Sequence, residues 1–495
     1  MIQIPFDNRY VQLGEPFYEQ AAPSTVRHPT LIRFNEALAR ELGIGFDASD
    51  TATLATVFSG NAIPEGAEPL AMAYAGHQFG HFTPQLGDGR AILLGEICTE
   101  DRRCFEVQLK GAGRTAYSRN GDGRAALGPV LREYLVSEAM HRLNVPTTRA
   151  LAAVATGEAV IRERALPGGV ISRVASSFVR VGTFQYFAAR GEFDAVKALA
   201  DHIIAHTYPG IAQAENPYVA LLESVTARQA RLIAQWMQIG FIHGVMNTDN
   251  MSIAGETIDY GPCAFMDTYS HQQVYSSIDH QGRYAYNNQP GIGLWNLTRL
   301  AESLLPLLAN DGDDSVKIAE SILQTYPEQY ERAWLDGMRK KVGLTAVEGC
   351  EQDDRELIEA LFEVMADNKA DFTLTFYHLS QMSSEAGAKD EVAQALFDQP
   401  AAFDEWVMRW RERLSLEKLD DNERQKHMRT VNPVYIPRNH QVEAAIRAAE
   451  DEGDFSVFHA LHEVLQQPFT EQAVKEIYMQ PPQPEEVVEV TFCGT

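Results

Sequence analysis

Residues 91–110 carry the clearest alternation of apolar and polar positions. In CFEVQLK (104–110), Phe105, Val107 and Leu109 alternate with Glu106, Gln108 and Lys110. That is the period of a strand with one apolar face. AILLGEI (91–97) precedes it across the polar turn CTEDRRC, so the two predict an antiparallel hairpin. Lys110 falls on the face opposite the apolar row. After a Gly- and Arg-rich loop, GAGRTAYSRNGDGRAALG (111–128), the period becomes helical in PVLREYLVSEAMHRL, with Pro129 suited to its first turn. This helix is apolar around most of its circumference. Glu133 shares a face with Val130, Ser137 and Met140, and a half-buried carboxylate there needs a cationic partner. TRALAAVAT and AVIRER read as further strands, completing a small, mostly antiparallel sheet by about residue 165.

The remainder reads as helical. FDAVKALADHIIAH and VALLESVTARQARLIAQWMQIGF are amphipathic, and helical segments continue from GLWNLTRLAESLLPLLA to about residue 465. A Pro/Glu-rich stretch, MQPPQPEEVVEV, leads to the terminal TFCGT. Residues 1–70, with EPFYEQAAPS and SGNAIPEGAEP, read as an extension packed on a body. The expected organisation is therefore an N-terminal extension (1–70), a sheet-rich lobe (71–165), a helical lobe (166–470) and a tail (471–495).

Composition narrows the possible partners. Lys and Arg total 42 against 68 Asp and Glu, a net charge of −26. Such a chain repels a phosphate backbone, which argues against sequence-independent nucleic-acid binding but leaves room for a local basic pocket. The five cysteines include no CxxC pair and suggest no disulfide framework, so a reducing cytosol is expected. MIQIPFDNRY lacks the pattern of a signal peptide, and no apolar run is long enough to span a membrane.

The candidate chemistry lies in the order of five features: a glycine loop, Lys110 ending a strand, Glu133 on the next helix, then GFIHGVMNTDN, then Asp259-Tyr260-Gly261 after a short strand pair. This is the order of a protein kinase: strand lysine, helix glutamate, catalytic-loop asparagine and an Asp-aromatic-Gly metal site. Asn250 and Asp259 offer hard oxygen ligands for Mg²⁺ beside phosphate. Lys110 offers a point charge for phosphate, held by Glu133. Arg90, Arg173 and Arg180 add forked donors. Glycines 87, 89, 111, 113, 121 and 123 let backbone approach anionic oxygens, and Gly-Asp-Gly-Arg occurs at both 87–90 and 121–124. One position departs from the kinase pattern: Val245 stands where the catalytic aspartate belongs. HQFGH (77–81) has metalloprotease spacing but carries Gln78 in place of the required Glu, so packing or hydrogen bonding is expected of its histidines. Asp267 and the histidine of IDHQGR are expected to be structural.

YAGHQFGHFTPQLGDGRAILLGE, QLKGAGRTAYSRNGDGRAAL, HGVMNTDNMSIAGETIDYGP and DHQGRYAYNNQP resemble the signature blocks of the SelO family over nearly the whole chain. The resemblance implies an α+β, bilobal protein-kinase-like fold that binds ATP in a flipped orientation. It implies transfer of AMP to Ser, Thr or Tyr hydroxyls of proteins, with Mg²⁺ or Mn²⁺. By that resemblance Asp249 is the proton acceptor and Arg90 and Lys110 hold the pyrophosphate. Gly87, Gly89, Asp122, Gly123, Arg173, Arg180 and Asp259 complete the nucleotide pocket, with Asn250 and Asp259 on the metal. It further implies a redox-active Cys493 in a bacterial cytoplasmic protein; Cys263, just after Asp259-Tyr260-Gly261 in this sequence, is the candidate partner. A monomer is expected. The alternatives are uridylylation from UTP with Mn²⁺, ordinary phosphorylation, which Val245 opposes, and a non-catalytic nucleotide-binding scaffold.

Overall fold

The structure, a computed structural model, describes residues 2–473 and 475–492. An eight-stranded sheet and a larger set of helices make up a mixed α+β chain. In spatial order seven strands run Tyr18–Gln20, Leu70–Met72, Ala91–Cys98, Cys104–Lys110, Ala165–Ala175, Arg149–Ile161 and Thr30–Phe34, with Ala125–Ala126 pairing onto Ala165–Ala175. Every pair is antiparallel. The hairpin expected at 91–110 forms where the alternation places it. Two expectations change. The sheet does not end near residue 165, because Ala165–Ala175 is an inner strand. Residues 1–70 supply two of its strands and open a third at Leu70, rather than only packing on it.

The sheet is covered on both faces. Val107, Leu109, Leu151, Val154 and Val170 pack on Leu38, Leu54 and Phe58 from the N-terminal helices Glu36–Glu41 and Thr51–Phe58. Ala150, Ala153 and Ile171 pack on Leu131 and Leu135 of the helix Leu127–Arg142, and this core continues into Val442, Phe458 and Leu461. The polar row of Cys104–Lys110 is therefore not wet. Glu106 and Gln108 are buried. Glu106 accepts from Phe178 N (2.6 Å) and Ser177 Oγ (2.9 Å), and burial followed by the charge of Glu96 raises its pKa to about 8.

In the helical half, Pro217–Gln238 packs against Gln289–Leu308 and Tyr326–Lys341. Asn216 caps it, accepting from Tyr218 N (3.0 Å) and Val219 N (3.2 Å), with Pro217 preset for the first turn. Arg438, fully buried, pairs with Asp371 (2.8 Å) and Asp267, giving Asp267 the structural role expected of it. Among the described residues no helix is long and apolar enough to cross a membrane. The sulfurs of Cys98 and Cys104 are bonded. This single bridge is no disulfide framework; it arises because the hairpin register sets the two residues directly opposite.

Lys341 ends its helix inside the core, its Nζ 4.4 Å from the centroid of Phe376. Burial lowers its pKa from 10.5 to about 7. Below pH 7 it is charged in both states, and the full cost of burying that charge opposes folding. From pH 7 to 10.5 the unfolded chain binds the extra proton, so stability rises with pH. Lys341→Met is expected to add about 2 kcal/mol at pH 6.5 and to flatten this slope. Urea midpoints at pH 6.5, 8 and 9.5 check both. A variant less stable than wild type at pH 6.5 would show that the ammonium's aromatic contacts outweigh its desolvation.

Candidate active site

Lys110 is the last residue of its strand and projects from the polar face toward the helix Leu127–Arg142. Its Nζ lies 2.7 Å from Glu133 Oε2 and 2.8 Å from Asp259 Oδ1. Strand register sets Arg173 opposite Gln108, so its guanidinium reaches the same cluster: Glu133 Oε1 at 3.1 Å and Asp259 Oδ1 at 2.7 Å, with the amide of Gln108 also accepting from it. Arg180 approaches Asp259 Oδ2 at 3.5 Å and stacks over Tyr74 at 4.4 Å. Both arginines are buried. Three cations thus converge on one carboxylate. Burial alone would raise the Asp259 pKa, but Lys110, Arg173 and Arg180 outweigh it and hold the group well below the usual carboxylate range. Asp259 adopts φ +62°, a left-handed conformation uncommon for aspartate.

The stretch from His243 to Asn250 faces this cluster. It is bracketed by a two-residue strand pair, Phe241–Ile242 with Ala264–Phe265. The strand pair expected between Asn250 and Asp259 does not form, because Ser252 and Thr257 bridge to the distant Arg180 and Thr147 instead. His243 is buried and meets the Ile258 carbonyl at 2.9 Å; burial lowers its pKa, so it is neutral. Asn250 spends Nδ2 on the Val245 carbonyl (3.0 Å), which leaves Oδ1 for a cation. Asp249 is buried, and desolvation raises its pKa to about 6. Its Oδ1 has no hydrogen-bond partner among the described residues.

A short hairpin, Gly76–Gln78 with His81–Thr83, clamps this loop. His77 N donates to Thr248 Oγ1 (2.7 Å), Phe79 N to Asn247 Oδ1 (3.0 Å) and Gln78 Nε2 to Asp249 Oδ2 (3.4 Å). A Cβ on Gly76 would fall 2.4 Å from Asp249 Oδ1, so only glycine admits the carboxylate there. The HQFGH histidines therefore sit in a positioning hairpin, and His77 stacks edge-on against Trp295.

These parts enclose a cleft of about 450 Å³. Gly87, Gly89, Arg90, Lys110, Asp122, Gly123, Arg173, Arg180, Asp249, Asn250 and Asp259 all line it; Glu133 stands behind Lys110 and Arg173. Seven cationic side chains face four carboxylates in the lining, a local positive balance in a chain of net charge −26. Gly123 serves the protein's own backbone: with φ +68°, a Cβ there would lie 2.1 Å from the Gly113 carbonyl oxygen. Asp122 is partly exposed and pairs with Arg162 at 2.8 Å.

Sequence reasoning missed Asp88, Gln78, Asn247, Arg124 and Arg162 in the lining. The repeated Gly-Asp-Gly-Arg held the signal for Asp88 and Arg124. Asp88 is buried and accepts from Gln108 Nε2 at 3.0 Å. Cys493 lies outside the described residues. Cys263 is buried, and Thr491 docks beside it, its Oγ1 donating to the Pro262 carbonyl at 2.5 Å.

Among the described residues no three His, Cys, Asp or Glu side chains form a ready metal cage. Mg²⁺ and its analogues are commonly held by one or two protein oxygens together with phosphates and water. Asn250 Oδ1 and the Asp259 carboxylate fit that pattern. The expected Mg²⁺ or Mn²⁺ is thus compatible with this cleft when shared with phosphate.

A family model described as protein adenylyltransferase SelO matches residues 1–466. A protein nucleotidyltransferase YdiU of Rhodopseudomonas palustris is 58% identical over 494 residues, spanning 100% of both chains. The protein of the same name from Rhizobium johnstonii is 57% identical over 491 residues, covering 99% of this chain and 97% of its own. One from Bradyrhizobium sp. is 56% identical over 496 residues. The chain belongs to the SelO family and is a nucleotidyltransferase enzyme.

Proposed function

We propose that this nucleotidyltransferase transfers AMP from ATP to Ser, Thr or Tyr hydroxyls of proteins in the bacterial cytoplasm. In this reading the sheet half and the helical half act as the two lobes of a protein-kinase-like fold, and ATP lies reversed in the cleft between them. One observation carries the reading: the kinase aspartate position is Val245, whereas a buried carboxylate with an unpartnered oxygen, Asp249, stands beside Asn250. A base displaced along the loop suits a phosphorus other than the terminal one.

The acceptor oxygen attacks Pα in line. Its bond to Pα forms as the bond from Pα to the pyrophosphate oxygen breaks, and Asp249 accepts the hydroxyl proton. Lys110 and Arg90 hold the departing pyrophosphate, and Arg173 and Arg180 offset charge deeper in the cleft, where water exclusion strengthens each interaction. Mg²⁺ or Mn²⁺ held by Asn250 and Asp259 supplies further charge neutralisation on the phosphates when bound.

Label transfer tests the proposal. With ATP labelled at the α- or the γ-phosphate, α-label is expected to enter protein and γ-label to stay out. Incorporation of γ-label, or of neither, would sink it. A parallel reaction with α-labelled UTP tests the donor, and faster transfer from UTP would replace adenylylation with uridylylation.

A further inference from the structure

A second cavity, a groove of about 540 Å³, shares no lining residue with the cleft. The N-terminal segment 31–40 forms one wall and the helix Ser456–Leu465 another, with Tyr134 and Arg142 of the helix Leu127–Arg142 between them. Segments far apart in the chain thus meet over the helix that carries Glu133.

The groove is rich in donors that have no acceptor. Arg142 Nε donates to Gln466 Oε1 at 2.9 Å. That contact fixes the amide, so Gln466 Nε2 is the atom 3.1 Å from His462 Nε2 and donates to it. Burial, then the charge of Arg33, lowers the His462 pKa to about 4, so the ring is neutral and its single proton sits on Nδ1. Nδ1 has no partner among the described residues, and the fully buried Tyr134 Oη finds no acceptor for its proton, the Arg33 guanidinium beside it being a donor. Two charges act on Tyr134 and His462: the buried Glu138 carboxylate, which Arg149 holds at 2.8 Å, and Arg33, which also acts on His459 and with which no carboxylate pairs among the described residues. The groove's other arginines are engaged: Arg40 pairs with Glu36 at 2.5 Å, and Arg142 holds Gln466. A buried donor without an acceptor is destabilising, and a cation beside two such donors makes an acceptor with negative charge the fitting occupant.

The geometry points to a binding site for a small oxyanion, a phosphate or a carboxylate, held by Arg33, Tyr134 Oη and His462 Nδ1. The site rests on none of the nucleotide chemistry proposed for the cleft and stands or falls separately from it.

Calorimetric titration of the full chain with inorganic phosphate, and in a second arm with acetate, tests it. Saturable binding of at least one probe is expected, weakened about tenfold or more in Arg33→Gln and retained in Lys110→Ala. The arm that binds identifies the oxyanion. Tyr134→Phe, which removes one oxygen and keeps the packing, is expected to weaken binding about threefold and serves if Arg33→Gln does not fold. Saturation by neither probe would overturn the site. So would binding lost in Lys110→Ala but unchanged in Arg33→Gln and Tyr134→Phe, since the anion would then occupy the cleft.

Discussion

Asp259→Ala is expected to lower nucleotidyl transfer by about 10³-fold or more and to destabilise the fold as well. The carboxylate is the common partner of Lys110, Arg173 and Arg180, at 2.7–3.5 Å. In the proposed reading its removal takes away a hard oxygen ligand for the metal, and several kcal/mol of charge stabilisation in the transition state corresponds to about three orders of magnitude in rate. It also leaves Lys110 and Arg173 with Glu133 alone and Arg180 with only the more distant Asp88, at 4.0 Å. Breaking a buried ion pair costs about 3–5 kcal/mol; the Asp259 side chain keeps 21% exposure, so about 2–4 kcal/mol is expected here. Initial rates of α-label transfer and urea midpoints measure the two effects. A variant as stable as wild type would mean that the cation cluster does not depend on this carboxylate. Full activity would remove Asp259 from the site.

Asp249→Asn is expected to separate those two effects. A base that takes a proton in the transition state contributes about 10²–10⁴ to rate. The asparagine keeps the shape but cannot accept the proton, so transfer falls by that factor. Nucleotide affinity stays within about threefold, because Asn250, Asp259 and the cations are untouched. Stability changes by no more than about 1 kcal/mol, since the native carboxylate is buried with one oxygen unpartnered and contributes little to the fold. A variant retaining a tenth or more of wild-type rate would assign the proton to another acceptor. A matching loss of nucleotide affinity would make Asp249 a binding residue instead.

The two positions differ in how legible they are. Asp259 stands out because it closes an ordered series with Lys110, Glu133 and Asn250, each in a local context that periodicity reveals. The Lys110–Glu133 pair follows from two local facts: a lysine on the polar face of a strand, and a carboxylate on an otherwise apolar helix face needing a cation. Arg173 and Arg180 are less legible for the opposite reason. A buried arginine is tolerable only if carboxylates come to it, and those carboxylates are Glu133, Asp259 and Asp88, between 40 and 92 residues away in the chain. The strand Ala165–Ala175 escaped notice because Pro167, Gly168 and Gly169 read as breakers. The fold absorbs them at a shift of register between Pro167 and Gly169.

Short-range periodicity and residue order therefore established the hairpin, the helix after it, the lysine–glutamate pair and the family, since each depends on side chains a few residues apart or on a motif read in line. Long-range assembly decided the rest: that residues 1–70 complete the sheet, that the polar row of Cys104–Lys110 is buried, that Cys98 meets Cys104, and that a hairpin at 76–83 positions Asp249. Burial and pairing across such separations depend on which surfaces meet. That is set by the packing of the whole chain, and no local pattern encodes it.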